Sequence, residues 1–229
     1  GALYDYYAEK GDDRKAKKWY ERTLAEYASY GIQPNTPEAY YAAKAEFMLV
    51  EYEFEEWDKI KLKGNVKKQG ELLQQKIKGQ QALTPMYEKV YAYRNLEWTL
   101  AAGYRLGNMY QRFANMLYDA PVPFPEGSEQ WDIYRGQLDD IAIPLEDKAV
   151  ESYVRVVDKG RQDKIVNEWT KRAVQELNKY RPAEYPLYKE ERRSISDDVK
   201  TGLPLLDKEA YEKYEKPPRA EEDSKGGDS

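Results

Sequence analysis

Carboxylates are the main candidates for chemistry in this sequence, because it contains no cysteine and no histidine. The chain therefore lacks thiol nucleophiles, imidazole bases and the commonest ligands of zinc. Acidic residues cluster at Glu51, Glu53, Glu55 and Glu56, and Glu51 shares a helix face with Glu55. A di-metal carboxylate bundle also needs the pattern Glu-x-x-His, so we interpret this cluster as a solvated helix face.

Other catalytic and cofactor patterns are missing from the sequence. Asp12-Asp13 and Asp139-Asp140 lack the spacing and the glycine of a calcium loop, and neither G-x-x-x-x-G-K nor G-x-G-x-x-G occurs. A glycosidase-like enzyme needs two carboxyl groups facing each other in a cleft, and no pattern indicates such a pair. We therefore predict a non-enzymatic protein with no catalytic residue, no cofactor and no metal.

The charge and hydropathy of the chain exclude further classes of function. A net charge of -5 argues against sequence-independent binding to nucleic acid, which needs a positive surface. No apolar run approaches the roughly 20 residues of a membrane span, so we predict no transmembrane segment. The sequence begins at Gly1 without a methionine. We expect it to be a fragment of a longer protein, so a missing targeting signal carries little information.

Tyrosines and lysines are the candidates for contacting a partner. The chain has 22 Tyr and 5 Trp beside only 4 Phe, which suits either partly wet helix contacts or an aromatic surface that grips a peptide or a sugar. A lysine-rich stretch at 59–78 suits either an exposed polar helix end or contact with anionic lipid or an acidic partner. The predicted partner-binding residues are Tyr40, Tyr41, Tyr52, Tyr91, Tyr93, Lys61, Lys67 and Lys68.

The elements that must position these residues are helices arranged around a central one at 98–118. Large apolar residues recur there at spacings of three and four and alternate with small residues. Leu106-Gly107-x-x-Tyr110 resembles the middle of the first-helix signature of tetratricopeptide repeats. Gly103 and Gly107 predict close contact with a neighbouring helix.

Capping and breaking residues delimit the other predicted helices. The sequence predicts helices at 12–30, 37–63, 66–83, 98–118, 128–143, 145–159 and 162–180. The expected N-terminal caps are Asp12 or Asp13, Thr36, Asn95 and Ser128. Gly31 is expected to end the first of these helices. The expected breaks or kinks in later helices are Thr84-Pro85, Pro144 and Gly160.

The proline-rich stretch 120–127 divides the chain. Its three prolines at alternate positions favour an extended backbone, either a stiff crossover or a docking peptide for a partner. We predict five units. They are the end of a preceding helical unit at 1–31, a long-helix core at 32–119, the proline-rich crossover at 120–127, a C-terminal helical repeat unit at 128–182 and an extended, partly disordered charged tail at 183–229.

A set of packing motifs between residues 40 and 190 resembles a known family. The motifs are AxAEF at 43–47, WTLAAGYRLG at 98–107, YDAPVP at 118–123, PLE at 144–146, Trp169, Leu177-Asn178 and Arg181-Pro182. With them the chain resembles the C-terminal part of large tetratricopeptide-repeat envelope proteins of gliding and predatory bacteria, of the gliding-motility-machinery type. The resemblance implies a periplasmic or outer-membrane-associated scaffold and carries over no catalytic residue.

These observations predict an all-α fold, an irregular tetratricopeptide-like solenoid with long helices and an extended C-terminal tail. The leading hypothesis is a non-enzymatic scaffold for protein–protein interactions in a multiprotein bacterial cell-envelope complex, with peripheral contact to anionic lipid. The alternative is an aromatic-rich module that binds glycan or cell wall, which needs a solvent-facing row of aromatic side chains.

Overall fold

A computed structural model describes residue 10 and residues 12–187, which form an all-helical unit. Its six α-helices are α1 (Asp13–Ser29), α2 (Pro37–Asp58), α3 (Val66–Lys89), α4 (Leu96–Tyr118), α5 (Glu129–Gln162) and α6 (Glu168–Tyr180), and a 3-10 turn spans Val90–Tyr93. This range contains no β-strand, so the all-α class is confirmed. The N-terminal segment 1–9 and the predicted tail from residue 188 lie outside the described residues. No helix within the described range is both long and apolar enough to cross a bilayer.

Side-chain caps begin each helix. An oxygen of each capping side chain accepts a hydrogen bond from a backbone N–H three residues later. The capping residues are Asp12, Thr36, Asn65, Asn95, Ser128 and Asn167. The predicted caps at Asp12, Thr36, Asn95 and Ser128 are therefore confirmed. Gly31 follows α1 with a φ of 60°, as expected for a residue that ends a helix.

The predicted break at Pro144 is wrong, and so is a restart at Thr84-Pro85, while a kink there stays a prediction. Helix α3 runs through Pro85, and α5 runs through Pro144. A proline inside a helix removes one backbone hydrogen bond and crowds the carbonyl four residues earlier. Those carbonyls belong to Gln81 and Asp140, which are both exposed, so water can satisfy them. The packing of these long helices then outweighs the local cost of the prolines.

The predicted break at Gly160 is also wrong. Helix α5 continues to Gln162, and Gly160 is a buried position at which α6 approaches closely. A Cβ atom at this position would lie 2.6 Å from Cγ2 of Thr170. The chain reverses slightly later, at Lys164, which has a φ of 56°. Glycine is therefore needed here for space and does not end the helix.

Helix α2 ends at Asp58, short of the predicted end at 63. Lys76 of α3 donates from Nζ to the carbonyl oxygens of Trp57 at 2.8 Å and Ile60 at 3.3 Å. In return, Nε1 of Trp57 donates to the carbonyl of Lys76 at 2.9 Å. A longer α2 would pair the Trp57 carbonyl with a backbone N–H of the next turn. Here the Trp57 carbonyl instead accepts from the backbone N–H of Ile60 at 3.2 Å, in a tighter turn, and from the buried ammonium group of Lys76.

The hydrophobic core surrounds α4. One side of this helix packs with α2 and α3, and the other packs with α5 and α6. The predicted close contact at the two glycines is confirmed, because Cβ atoms there would lie 2.9 Å from Val156 at Gly103 and 2.7 Å from the Tyr153 ring at Gly107. The loops 30–36 and 119–128 join α1 to α2 and α4 to α5. Each of these pairs is in contact, which makes two helical hairpins.

Candidate binding surfaces

Two of the predicted tyrosines, Tyr93 and Tyr52, join helices. Tyr93 is 9% exposed, donates to Oε2 of Glu46 at 3.0 Å and packs edge-on against Tyr27 with ring centroids 5.2 Å apart. Burial, together with the charge of Glu46, raises the pKa of Tyr93. Tyr52 is half-buried, and its hydroxyl donates to Asp13 of α1 at 3.4 Å. Both side chains therefore contribute to helix packing.

The remaining predicted tyrosines are more accessible. Tyr41 is 46% exposed and Tyr91 is 36% exposed. Tyr40 is half-buried, with its ring 5.4 Å from that of Tyr41 and 5.8 Å from that of Trp98. Because Tyr93 is buried, the predicted tyrosines do not form one continuous exposed surface. The five tyrosines do not form the single solvent-facing row that a glycan-binding surface would use.

Lysines are concentrated at the junction of α2 and α3. We define the lysine loop as Lys59, Lys61, Lys63, Lys67 and Lys68, all of which are exposed. Lys61 lies 3.8 Å from Asp58, and Lys68 lies 3.3 Å from Glu71. Such exposed pairs contribute little to stability and leave the ammonium groups accessible to an anionic partner.

The acidic cluster divides into one buried carboxylate and three exposed ones. Glu53, Glu55 and Glu56 are exposed, but the carboxylate of Glu51 is only 15% exposed, so its interpretation as part of a solvated face is wrong. Nε of Arg105 donates to Oε1 of Glu51 at 2.8 Å, and Nη2 donates to Oε2.

This largely buried ion pair joins α2 to α4 and was not predicted from the sequence. The hydroxyl of Tyr87 on α3 also donates to Glu51, at 2.6 Å. Burial and the charge of Glu51 raise the pKa of Tyr87. The spacing of Glu51 from Phe47 and Phe54 places it on the apolar face of α2 and is the signal that could have identified it.

Of these carboxylates, Glu51 joins helices, and Glu56 forms an exposed ion pair. Glu51 is already bound by Arg105 and Tyr87, and Glu56 pairs with Lys59 at 2.5 Å. Within residues 12–187, no group of three or more acidic side chains is placed to hold a metal ion. The arrangement of these side chains can join helices and bind charged partners.

An open groove lies between α2 and α3, and we call it the α2–α3 groove. Its volume is about 690 Å³, and its apolar lining includes Trp57, Ala82, Leu83 and Met86. Gly79 lies beside Trp57, where a Cβ atom would stand 2.5 Å from Cδ1 of the indole ring. Glycine at position 79 therefore leaves space for the indole ring of Trp57, which forms one wall of the groove.

Charged side chains border the α2–α3 groove on both sides. Glu53 and Glu56 line it from α2, and Lys78 lines it from α3. None of the predicted partner-binding residues lines the groove. Three of them, Lys61, Lys67 and Lys68, belong to the lysine loop. The groove was missed because its walls come from two helices whose relative position the sequence does not give.

The chain matches no protein-family model, no curated protein and no solved structure.

Proposed function

We propose that this protein is a non-enzymatic scaffold for protein–protein interactions and that the α2–α3 groove binds an amphipathic helix of a partner protein. The groove is the observation that carries this proposal. It has an open volume of about 690 Å³, an apolar floor and charged borders. Grooves of this kind accept the apolar face of a helix, while polar residues at the edge fix its orientation.

The charges along the groove specify the chemistry of the partner helix. Glu53 on the α2 border and Lys78 on the α3 border form no ion pair among the described residues. A complementary helix carries Lys or Arg along the α2 side and Asp or Glu along the α3 side. Its apolar residues, spaced three and four apart, lie against Ala82 and Leu83 on the floor.

The helical hairpins support a repeat-like architecture for this scaffold. Small residues lie in both hairpin contacts, Ala16 and Ala45 in hairpin α1/α2 and Gly103 and Gly107 in hairpin α4/α5, as in stacked tetratricopeptide-like units. From the resemblance of the sequence motifs to envelope proteins of gliding bacteria, we propose that the scaffold belongs to a multiprotein complex of the periplasm or outer membrane. Other envelope proteins are then its partners.

Site-specific photocrosslinking tests the groove. A benzophenone amino acid replaces exposed Ala82 at the groove, and a matched control carries it at Gly136, which is exposed on α5 with no atom within 4 Å of a Cβ. We expect a protein adduct at position 82, and none at position 136, in cells that make the protein.

Charge reversal makes the crosslinking test specific. Replacing Glu53→Lys and Lys78→Glu should weaken the adduct at position 82, because both borders then oppose the partner helix. Circular dichroism checks that the variants keep their helix content. Identical adducts at positions 82 and 136 would refute the groove as a partner site. Retention on cell-wall polysaccharide without any protein adduct would favour the glycan-binding alternative.

A further inference from the structure

A second concave site, which we call the α4–α5 cleft, lies beside Tyr91 and has two adjacent parts. The inner part has a volume of about 300 Å³ and an apolar lining that includes Leu100, Leu106 and Val156. The outer part has a volume of about 370 Å³ and includes Arg94 and Asp163. Thr99 and Lys159 line both parts, so the two parts lie side by side, and we call the more polar outer part the mouth of the cleft.

A glycine and a tyrosine shape the inner part of the cleft. A Cβ atom at Gly103 would lie 2.9 Å from Cγ2 of Val156 and 3.6 Å from the hydroxyl oxygen of Tyr91. The Tyr91 hydroxyl therefore lies at the wall of the apolar chamber, and it forms no hydrogen bond within the described part of the chain. Burial raises the pKa of Tyr91 to about 12, so the hydroxyl stays protonated and can donate.

Cationic side chains line both parts of the cleft. Arg155 lines the inner part, Arg94 lines the mouth, and Lys159, one turn after Arg155 on α5, lines both. Lys159 pairs with Asp163 at 2.9 Å, and Arg155 pairs with Glu151 at 2.9 Å. The Arg155–Glu151 pair is 65% exposed at both side chains, whereas Lys159 is 44% and Asp163 only 26% exposed. An anionic ligand can therefore compete for both cations, at a larger cost for Lys159 than for Arg155.

Arg94 adds a cation that is not neutralised by a neighbour. It is exposed, follows the 3-10 turn in a left-handed conformation with a φ of 52°, and forms no ion pair within the described residues. An apolar chamber that ends in a cationic mouth fits a ligand with an apolar tail and a single anionic head. A guanidinium and an ammonium group together favour a carboxylate at the mouth.

We propose that the α4–α5 cleft binds a medium-chain carboxylic acid, with its tail in the inner part and its carboxylate between Arg94 and Lys159. A methylene group occupies roughly the liquid volume of a water molecule, about 30 Å³. The inner volume of about 300 Å³ therefore accommodates a tail of about ten carbons. This site is separate from the α2–α3 groove and does not depend on the proposed scaffold function.

Isothermal titration of the full chain with decanoate, below its micellar concentration, tests the proposal. We expect one saturable site, and we expect uncharged decanol to bind at least about tenfold more weakly because it cannot pair with the cations. Arg94→Gln and Lys159→Gln should each raise the Kd for decanoate about fivefold and leave decanol binding unchanged. Lys171→Gln, at an exposed position on α6, is the matched control and should change neither value.

A volume-filling variant tests the position of the tail. Thr99 lines both parts of the cleft, so Thr99→Trp should abolish the binding of both decanoate and decanol. Circular dichroism must show wild-type helix content for this result to count, and the charge variants test the site independently of it. Equal affinity for decanoate and decanol, no saturable binding, or no effect of Arg94→Gln and Lys159→Gln would overturn the proposal.

Discussion

Replacing Lys76 with Met should remove a specific pH dependence from the stability of the protein. The Lys76 side chain is completely buried, and its ammonium group lies 3.6 Å from the centroid of the Trp57 ring. Burial lowers the pKa of Lys76 from 10.5 to about 8. The carboxylate of Asp58, 4.0 Å from Nζ, opposes this shift, whereas the charges of Lys61 and Arg112 add to it.

The sign and size of the effect follow from proton linkage. Because the pKa of Lys76 is lower in the folded protein, the unfolded chain binds more protons between pH 8 and pH 10.5. The free energy of unfolding therefore rises with pH through this window. Below it, Lys76 is charged in the folded protein, and burying that charge lowers the free energy of unfolding by its full amount. With a pKa of about 8 in the folded protein and 10.5 in the unfolded chain, Lys76 raises the free energy of unfolding by about 2 kcal/mol between about pH 7 and about pH 9.5. A methionine cannot titrate, so the variant lacks this gain.

Urea denaturation across this pH range measures the prediction. The difference in unfolding free energy between wild type and Lys76→Met should increase by about 2 kcal/mol from about pH 7 to about pH 9.5. Tyrosine ionisation lowers stability at the alkaline end, but both proteins share it, so it cancels in the difference. Lys78→Met, at an exposed position on α3, is the control and should follow the wild-type profile. Parallel profiles for wild type and Lys76→Met would refute the reasoning.

Three further changes test the packing and the surface. Gly107→Ala should cost about 1–3 kcal/mol in a denaturation experiment, since its Cβ would lie 2.7 Å from the Tyr153 ring, whereas exposed Gly136→Ala should not destabilise. Equal melting temperatures would contradict this. Arg105→Leu should cost about 3 kcal/mol because the largely buried Glu51 loses its cation and keeps only the hydrogen bond from Tyr87, and a near-wild-type denaturation midpoint would argue against that role. Replacing four residues of the lysine loop (all but Lys59) with Glu should reduce co-sedimentation with anionic vesicles, and unchanged sedimentation would exclude lipid contact there.

Local chemistry in the sequence determined where most helices begin and which helix is central. Asp12, Thr36, Asn95 and Ser128 cap helices because their side-chain oxygens reach backbone N–H groups only three residues away. The periodic apolar residues of α4 predicted its burial for the same local reason, since the helical repeat places them on one face. The sequence also predicted that Gly107 lies in a close helix contact.

Tertiary packing decided which local signals prevailed and where the binding surfaces lie. Pro85 and Pro144 stay within helices because long-range burial outweighs one lost backbone hydrogen bond. Lys76 belongs to a lysine-rich stretch that suggested an exposed polar helix, yet it is buried against Trp57. The α2–α3 groove and the α4–α5 cleft arise between helices that are distant in sequence or joined by a loop. Such surfaces depend on the relative positions of helices, which side-chain packing determines and a one-dimensional pattern does not contain.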